Sequence, residues 1–381
     1  MNRIFAGIVL ATFLVGATSS ALPKFASRTG LKCQSCHINP TGKGMRNEFG
    51  RTFGQDEIVL PTFKGLTDLD DYSTSLTPNI GFGGDFRELF FYEQNQNVSS
   101  FFQMQGDMYL DLRLNKKFLV YFDKGLYTGF EVFGMARVLP LDGYIKVGKF
   151  MPAYGTRIDD HTYFIRGGPP GGGPWAGLFP TTPVSYPIGL PFGERSEDTG
   201  LELGFFPGIF SFNVGLFNGE PGGGLTGETG TKYKAVALRG DATFKLGSIP
   251  INFGGSIYNL PGDAATNTYY GVFGSITALE KLTLNSEVDY LQTVTSGRTF
   301  VGVVYWDELN YMAVQGLDLK LAYEFYDPDN VRKNGSFSQV TVGAEIFVLS
   351  GVELRPLYRI NMEQPTEVSN NEFQMMFHFY I

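Results

Sequence analysis

The chain has 381 residues, a formal net charge of −8, 15% aromatic residues and 49 Gly. The negative balance argues against a nucleic-acid partner. Beyond the N-terminal stretch, no run of about 18 apolar residues offers a membrane-spanning helix. Helical periodicity is almost absent after residue 60, which argues against an ordinary soluble enzyme and leaves an all-β reading.

Asn2-Arg3 and the apolar run from Ile4 to Gly16 have the form of a secretory signal peptide. Ser19-Ser20-Ala21 supplies the small residues of a cleavage site, so residues 1–21 are expected to be removed. Cys33-Gln34-Ser35-Cys36-His37 then forms a C-x-x-C-H haem-attachment motif. Two thiols at this spacing can add to the two vinyl groups of a haem, and His37 is placed to bind its iron. The chain has only 2 Cys, so attachment would consume both. A zinc site would need further Cys or His ligands, and only His161 and His378 remain. The expectation is one covalent haem c on Cys33 and Cys36 with His37 as a metal ligand, within a cytochrome segment over residues 22–60. For the second axial position the candidates are His378, Met45 and His161. An acidic linker with Asp68, Asp70 and Asp71 fills residues 61–74.

Residues 75–381 read as an outer-membrane β-barrel. The spacing predicts strands near 75–90, 100–115, 117–124, 127–138, 143–150, 197–206, 208–218 and 232–246. It continues with 250–260, 268–278, 281–292, 299–314, 317–326, 337–348, 352–361 and 372–381, about 16 in all. Around the second of these, Phe102, Met104, Met108, Leu110, Leu112 and Leu114 alternate with Gln103, Gln105, Asp107, Tyr109, Asp111 and Arg113. One face suits lipid and the other water. Connections alternate between tight turns, such as Leu141-Asp142, Glu280, Gly316 and Gly351, and longer loops, notably 151–196. Short periplasmic and long extracellular connections are what an outer-membrane barrel requires, with both termini periplasmic. In the final strand Phe373, Met375, Phe377, Phe379 and Ile381 are expected to face lipid, and Gln374, Met376, His378 and Tyr380 the lumen. The 151–196 loop is expected either to constrict the pore or to lie on the surface. Inward charges include Asp107, Glu131, Arg239, Asp241, Glu287, Asp289, Lys320, Glu324, Glu353, Arg355 and Arg359. Of these, Glu287 and Asp289 lie on one face and could visit a ferrous ion.

The run Leu22 to Cys33, followed by Phe49-Gly50-Arg51-Thr52-Phe53, resembles the fused monohaem c-type cytochrome–porin family, which includes outer-membrane Fe(II) oxidases. Between those landmarks, His37 to Asn47 looks closer to haem-bearing porins of metal-reducing bacteria. The same is true of Gly148 to Gly155 and of Tyr323 to Asp329. The resemblance implies a haem held at or inside a barrel of about 16 strands. The implied role is an electron conduit between extracellular iron or another redox partner and periplasmic c-type cytochromes. Whether that amounts to Fe(II) oxidase catalysis stays open. The alternative is a porin-like solute or anion channel whose haem segment is a plug. A filled lumen would favour the first and an open lumen the second.

Overall fold

The computed structural model describes residues 23–62, 72–95, 97–126, 129–158, 160, 162–168, 189–193, 196–222, 232–332, 335–364 and 370–381. Residues 1–22, which include the expected signal peptide, most of the 61–74 linker, His161 and the greater part of the 151–196 loop lie outside them. Sixteen antiparallel strands, from Ile80–Glu93 to Glu372–Tyr380, each pair with their neighbours in sequence and close into a barrel. The last strand closes on the first, with Phe379 opposite Phe86 and His378 opposite Arg87. Closure leaves no unpaired strand edge, the condition for a sheet to sit in lipid. No described helix is long and apolar enough to cross a membrane.

The expected strand 75–90 is interrupted. Ser75–Thr77 forms a separate short strand, and the barrel begins at Ile80. Pro78 stands at the break, where it has no N–H to give to the ladder. The tight turns lie where expected. Leu141 and Asp142 have φ of 60° and 56°, and Leu279 and Glu280 have 53° and 61°. Two successive positive φ values match the right-handed twist of the flanking strands.

The alternation of faces holds along most of the wall. Phe377 and Phe379 point outward, while Gln374, Met376 and His378 are buried inside. Asp107, Asp111, Glu131, Glu287, Asp289, Glu324, Glu353 and Arg359 are all buried toward the lumen. One expectation needs correction. Within Val98–Arg113, Phe102 and Met104 do not face lipid with Met108 and Leu110. The register shifts at this point, Arg87 pairing with Gln105 and Glu88 with Gln103, so Met104 is an extra residue. Such a bulge reverses the face of everything beyond it. Phe101 therefore points outward, and Met104 is buried with Leu89, Phe91 and Met376, Phe102 packing beside them.

Two pieces of the chain itself fill the lumen. The N-terminal segment enters at the end that carries the short turns. Its helix α1 (Pro23–Thr29) presents Lys24 to Asp318 at 3.2 Å and to Glu345, and Arg28 to Asp318 at 2.5 Å. Lys32 Nζ donates to the carbonyls of Gly208 and Phe210 at 2.7 Å, beside the 207–208 turn. The N–H of Leu60 donates to the carbonyl of Phe347 at 3.0 Å. Phe25 packs with Ile58 and Phe347 in a small apolar cluster of its own. The described parts of the 151–196 loop also fold inward. Tyr154, Tyr163, Ile165 and Leu190 are fully buried, and Tyr154 stacks on Phe192 with ring centroids 3.9 Å apart. Of the two expected loop placements, the inward one is observed for these residues.

Candidate functional site in the lumen

The C-x-x-C-H motif folds as one tight turn, Cys33–Ser35. The backbone N–H groups of Cys36 and His37 both donate to the carbonyl of Cys33, each at 3.1 Å. Cys33 and His37 line the same cavity, and Cys36 is fully buried beside them. Neither cysteine forms a disulfide.

Helix α2 (Glu48–Phe53) holds this turn in place. Asn47 caps it, its side chain accepting from the N–H of Gly50 at 2.9 Å and donating to the carbonyl of Ser35 at 3.0 Å. The N–H of Asn47 donates to the carbonyl of Cys36 at 2.8 Å. A side chain at Gly50 would run into that same Cys36 carbonyl, so only glycine allows the helix this close.

The motif opens onto a space inside the barrel that is continuous with solvent. Phe192, Phe206 and Phe273 supply its apolar walls, and Tyr109 its phenol. Cations outnumber anions in the lining: Lys32, Lys43, Arg46, Arg87, Arg157, Arg166 and Arg239 against Asp85 and Asp241. Several are matched by carboxylates, Arg87 by Asp85 at 3.0 Å and Arg166 by Glu287 at 3.2 Å. Arg157 is different. It holds the Met151 thioether and the carbonyls of Met151 and Pro152, and among the described residues no carboxylate lies within ion-pair distance of it. Burial pushes its guanidinium below the ordinary value, with Glu131 pulling the other way. Burial likewise pushes the Cys33 thiol up, against the pull of Arg239.

This donor set fits a covalent haem. Cys33 and Cys36 would supply the thioethers, His37 the iron ligand, and the phenylalanines apolar contact with a flat macrocycle. Arg157 and Arg46 would meet the two negative propionates. A bound haem would supply one-electron chemistry there.

The other candidate ligands fall in different places. His37 pairs with Arg46 in an antiparallel bridge, which puts their side chains on one side and those of Ile38 and Met45 on the other. Met45 packs with Ile38, Tyr109 and Tyr121 against the wall, its N–H donating to the Tyr121 hydroxyl at 2.9 Å. Its methyl group comes up to Gly81. His378 faces inward, as the alternation requires, but its ring is held between two carboxylates. Nδ1 lies 2.8 Å from Glu353 Oε2 and Nε2 lies 3.1 Å from Asp85 Oδ1. Iron binding would require one of these pairs to be given up. His161 lies outside the described residues.

Glu287 and Asp289 are likewise committed elsewhere. Tyr154 donates to Asp289 at 2.7 Å, and the N–H of Thr156 donates to Glu287 at 2.6 Å. With Arg166 also on Glu287, the pair anchors the inward loop. No group of three or more His, Cys, Asp or Glu able to hold a metal ion occurs among the described residues.

Sequence reading missed Met151 and Arg157 as site residues. Both follow the strand Gly143–Phe150 and line the cavity with Cys33 and His37. They lie in a loop, where two-residue alternation no longer assigns a face. Only the inward fold of that loop reveals them.

Fold and lumen together define a porin-type barrel whose channel is occupied by its own chain. No protein-family model matches the sequence, and no curated protein matches it. Among solved structures, an in-vitro folded trimer form of OmpT, an outer membrane protein of Vibrio cholerae, is similar with a TM-score of 0.56 and 13% identity. The match covers 79% of this chain and 99% of that one. OprB of Pseudomonas putida gives a TM-score of 0.56 at 11% identity, covering 79% of this chain and 94% of that chain. The outer membrane channel DcaP of Acinetobacter baumannii gives 0.55 at 9%, covering 81% and 99%. At these identities the likeness is one of fold.

Proposed function

We propose that this chain is an outer-membrane electron conduit of the fused monohaem cytochrome–porin type. One haem c on Cys33 and Cys36 passes electrons between an extracellular partner, iron or another redox compound, and periplasmic c-type cytochromes. The observation that carries this reading is the inward-folded N-terminal segment, which sets Cys33 and His37 together on one cavity within the lumen.

The protein's own residues have separate tasks. Helix α2 and Asn47 keep the two thiols and the His37 imidazole in one fixed turn. Arg157 and Arg46 offset the propionate charge. Lys24 and Arg28, through Asp318 and Glu345, hold the segment at the short-turn end, which is the periplasmic end of an even-stranded barrel. Periplasmic cytochromes would dock at that end. Of the iron-binding side chains other than His37, Met151 lines the cavity; its thioether would have to leave Arg157 to reach iron, and a thioether ligand raises the potential of a haem.

The test uses purified protein in liposomes that enclose a periplasmic-type cytochrome. Ferrous iron added outside should reduce the enclosed cytochrome, and protein carrying Cys33→Ala and Cys36→Ala should not support this. The cationic lining favours a second reading, an anion channel with a haem-bearing plug. Steady anion conductance in a planar bilayer without electron transfer to the enclosed cytochrome would establish that reading and remove the first.

A further inference from the structure

A second pocket lies toward the opposite mouth of the barrel. It is lined by Tyr269, Leu291, Phe300, Tyr326, Pro191 and Pro328, with an empty space of about 630 Å³ including open solvent. Its position follows from register. Leu291 and Phe300 sit at the end of their hairpin remote from the Leu279-Glu280 turn, hence remote from the entry of the N-terminal segment.

Two features set this pocket apart. Among the described residues that line it, none is charged and none is a histidine or cysteine. These residues give a metal ion no carboxylate, imidazole or thiolate ligand. The pocket offers three aromatic rings and two prolines, surfaces suited to a flat conjugated molecule. The second feature is the partition between this pocket and the haem cavity. Gly189 and Pro191 line the outer pocket, while Phe192 and Gly193 line the inner one. Phe192 packs edge-on against Tyr269, centroids 5.6 Å apart at an interplanar angle of 79°, and Tyr269 lines the outer pocket. Two touching rings thus join the cavities. Phe192 also contacts Tyr154 and Tyr258, at 3.9 and 5.3 Å between centroids, so its ring is fixed from several sides.

We propose that the outer pocket receives a planar conjugated redox carrier of the quinone class, and that Phe192 and Tyr269 form the electron path from it to the haem cavity. This deepens the electron-conduit reading and rests on it. A hydroquinone there would give up two electrons, one to the haem of each of two chains, and two protons to water, and would leave as the quinone. The rings themselves are neither oxidised nor reduced. They replace a void with packed atoms, and tunnelling falls off more slowly through packed atoms than through empty space.

The test takes the detergent-solubilised holoprotein and a neutral quinone, 1,4-naphthoquinone, with its hydroquinone as the reduced form. Calorimetry with the oxidised form should show saturable binding, weakened about tenfold by Phe300→Ala and retained in Phe300→Tyr. Stopped-flow reduction of the haem by the reduced form should slow about tenfold in Phe192→Leu, with binding unchanged, and recover in Phe192→Tyr. Gel mobility of heated and unheated samples verifies that each variant is a folded barrel. If the quinone reduces the haem but binds equally well to Phe300→Ala, the pocket assignment is overturned while the conduit reading stands. If it binds yet reduces no haem in the wild-type protein, the electron path through Phe192 and Tyr269 is overturned, while the conduit reading stands or falls on the ferrous-iron assay.

Discussion

Two parts of the chain fill this barrel from opposite ends, and they are held by different forces. The N-terminal segment is attached by charge: Lys24 and Arg28 on Asp318 and Glu345, with Lys320 and Arg355 joining the same carboxylate network. The 151–196 loop is attached chiefly by rings, with Tyr154 on Phe192, Phe164 on Tyr326 and Tyr163 on Trp306, and by the carboxylates that take Thr156 and Arg166. The loop is continuous with the wall on both sides and needs only packing to stay folded inward. The segment has one connection to the barrel, through the 61–74 linker, so its position depends on specific directional contacts. Ion pairs buried in the lumen give that specificity because a displaced segment leaves several charges unmatched.

The most severe way to separate the two parts is chemical. Cys33→Ala combined with Cys36→Ala should abolish covalent haem, read as haem staining of the denatured chain on a gel, while the barrel and its inward loop persist. Haem that dissociates from the wild-type chain on denaturation would overturn the covalent assignment. Next in size is an effect on the iron. Met151→Ala should move the bound haem from low to high spin and lower its potential, while His378→Ala and Met45→Ala leave the spin state as it was. An unaltered spectrum in Met151→Ala would return the second ligand to His378, and Asp85 and Glu353 would then have to release its ring.

The attachment of the segment is probed by Asp318→Ala, which leaves Arg28 buried without its carboxylate. Breaking a buried pair from one side costs about 3–5 kcal/mol. Limited proteolysis should then cut within residues 23–62 while the strands stay protected, and equal protection in both chains would deny the ion pairs this role. The wall responds by a different rule. Leu110→Arg on the outer face should cost about 2–4 kcal/mol near mid-membrane, and Asp111→Asn on the inner face far less. Urea titrations of the folded fraction compare the two, and similar midpoints would mean the faces are wrongly assigned. The smallest effect belongs to the loop. Tyr154→Phe keeps the stack on Phe192 and loses only the hydrogen bond to Asp289, about 1 kcal/mol. Amide exchange near residues 151–158 should quicken slightly with the N-terminal segment unaffected.

Much of this was written in the sequence because it follows from local rules. A two-residue period assigns faces to a strand, so His378, Asp111 and Glu287 could be placed in the lumen before any coordinates. Turn residues and loop lengths identified the barrel and its closing parity, and the C-x-x-C-H spacing marked residues 33–37 as the segment to examine. The period failed at Met104, where one inserted residue exchanged the two faces, and at Pro78, where a missing N–H divided a strand. The site itself lay further from reach. That Met151 and Arg157 stand with Cys33 and His37, that Met45 turns to the wall, and that carboxylates hold His378 all depend on contacts across the lumen. Such contacts join different elements of the chain, Met45 with Tyr121 and His378 with Asp85, and no periodicity along the chain encodes them. The strands' own chemistry decides the wall, whereas what fills it is decided by which distant side chains meet once the wall has closed.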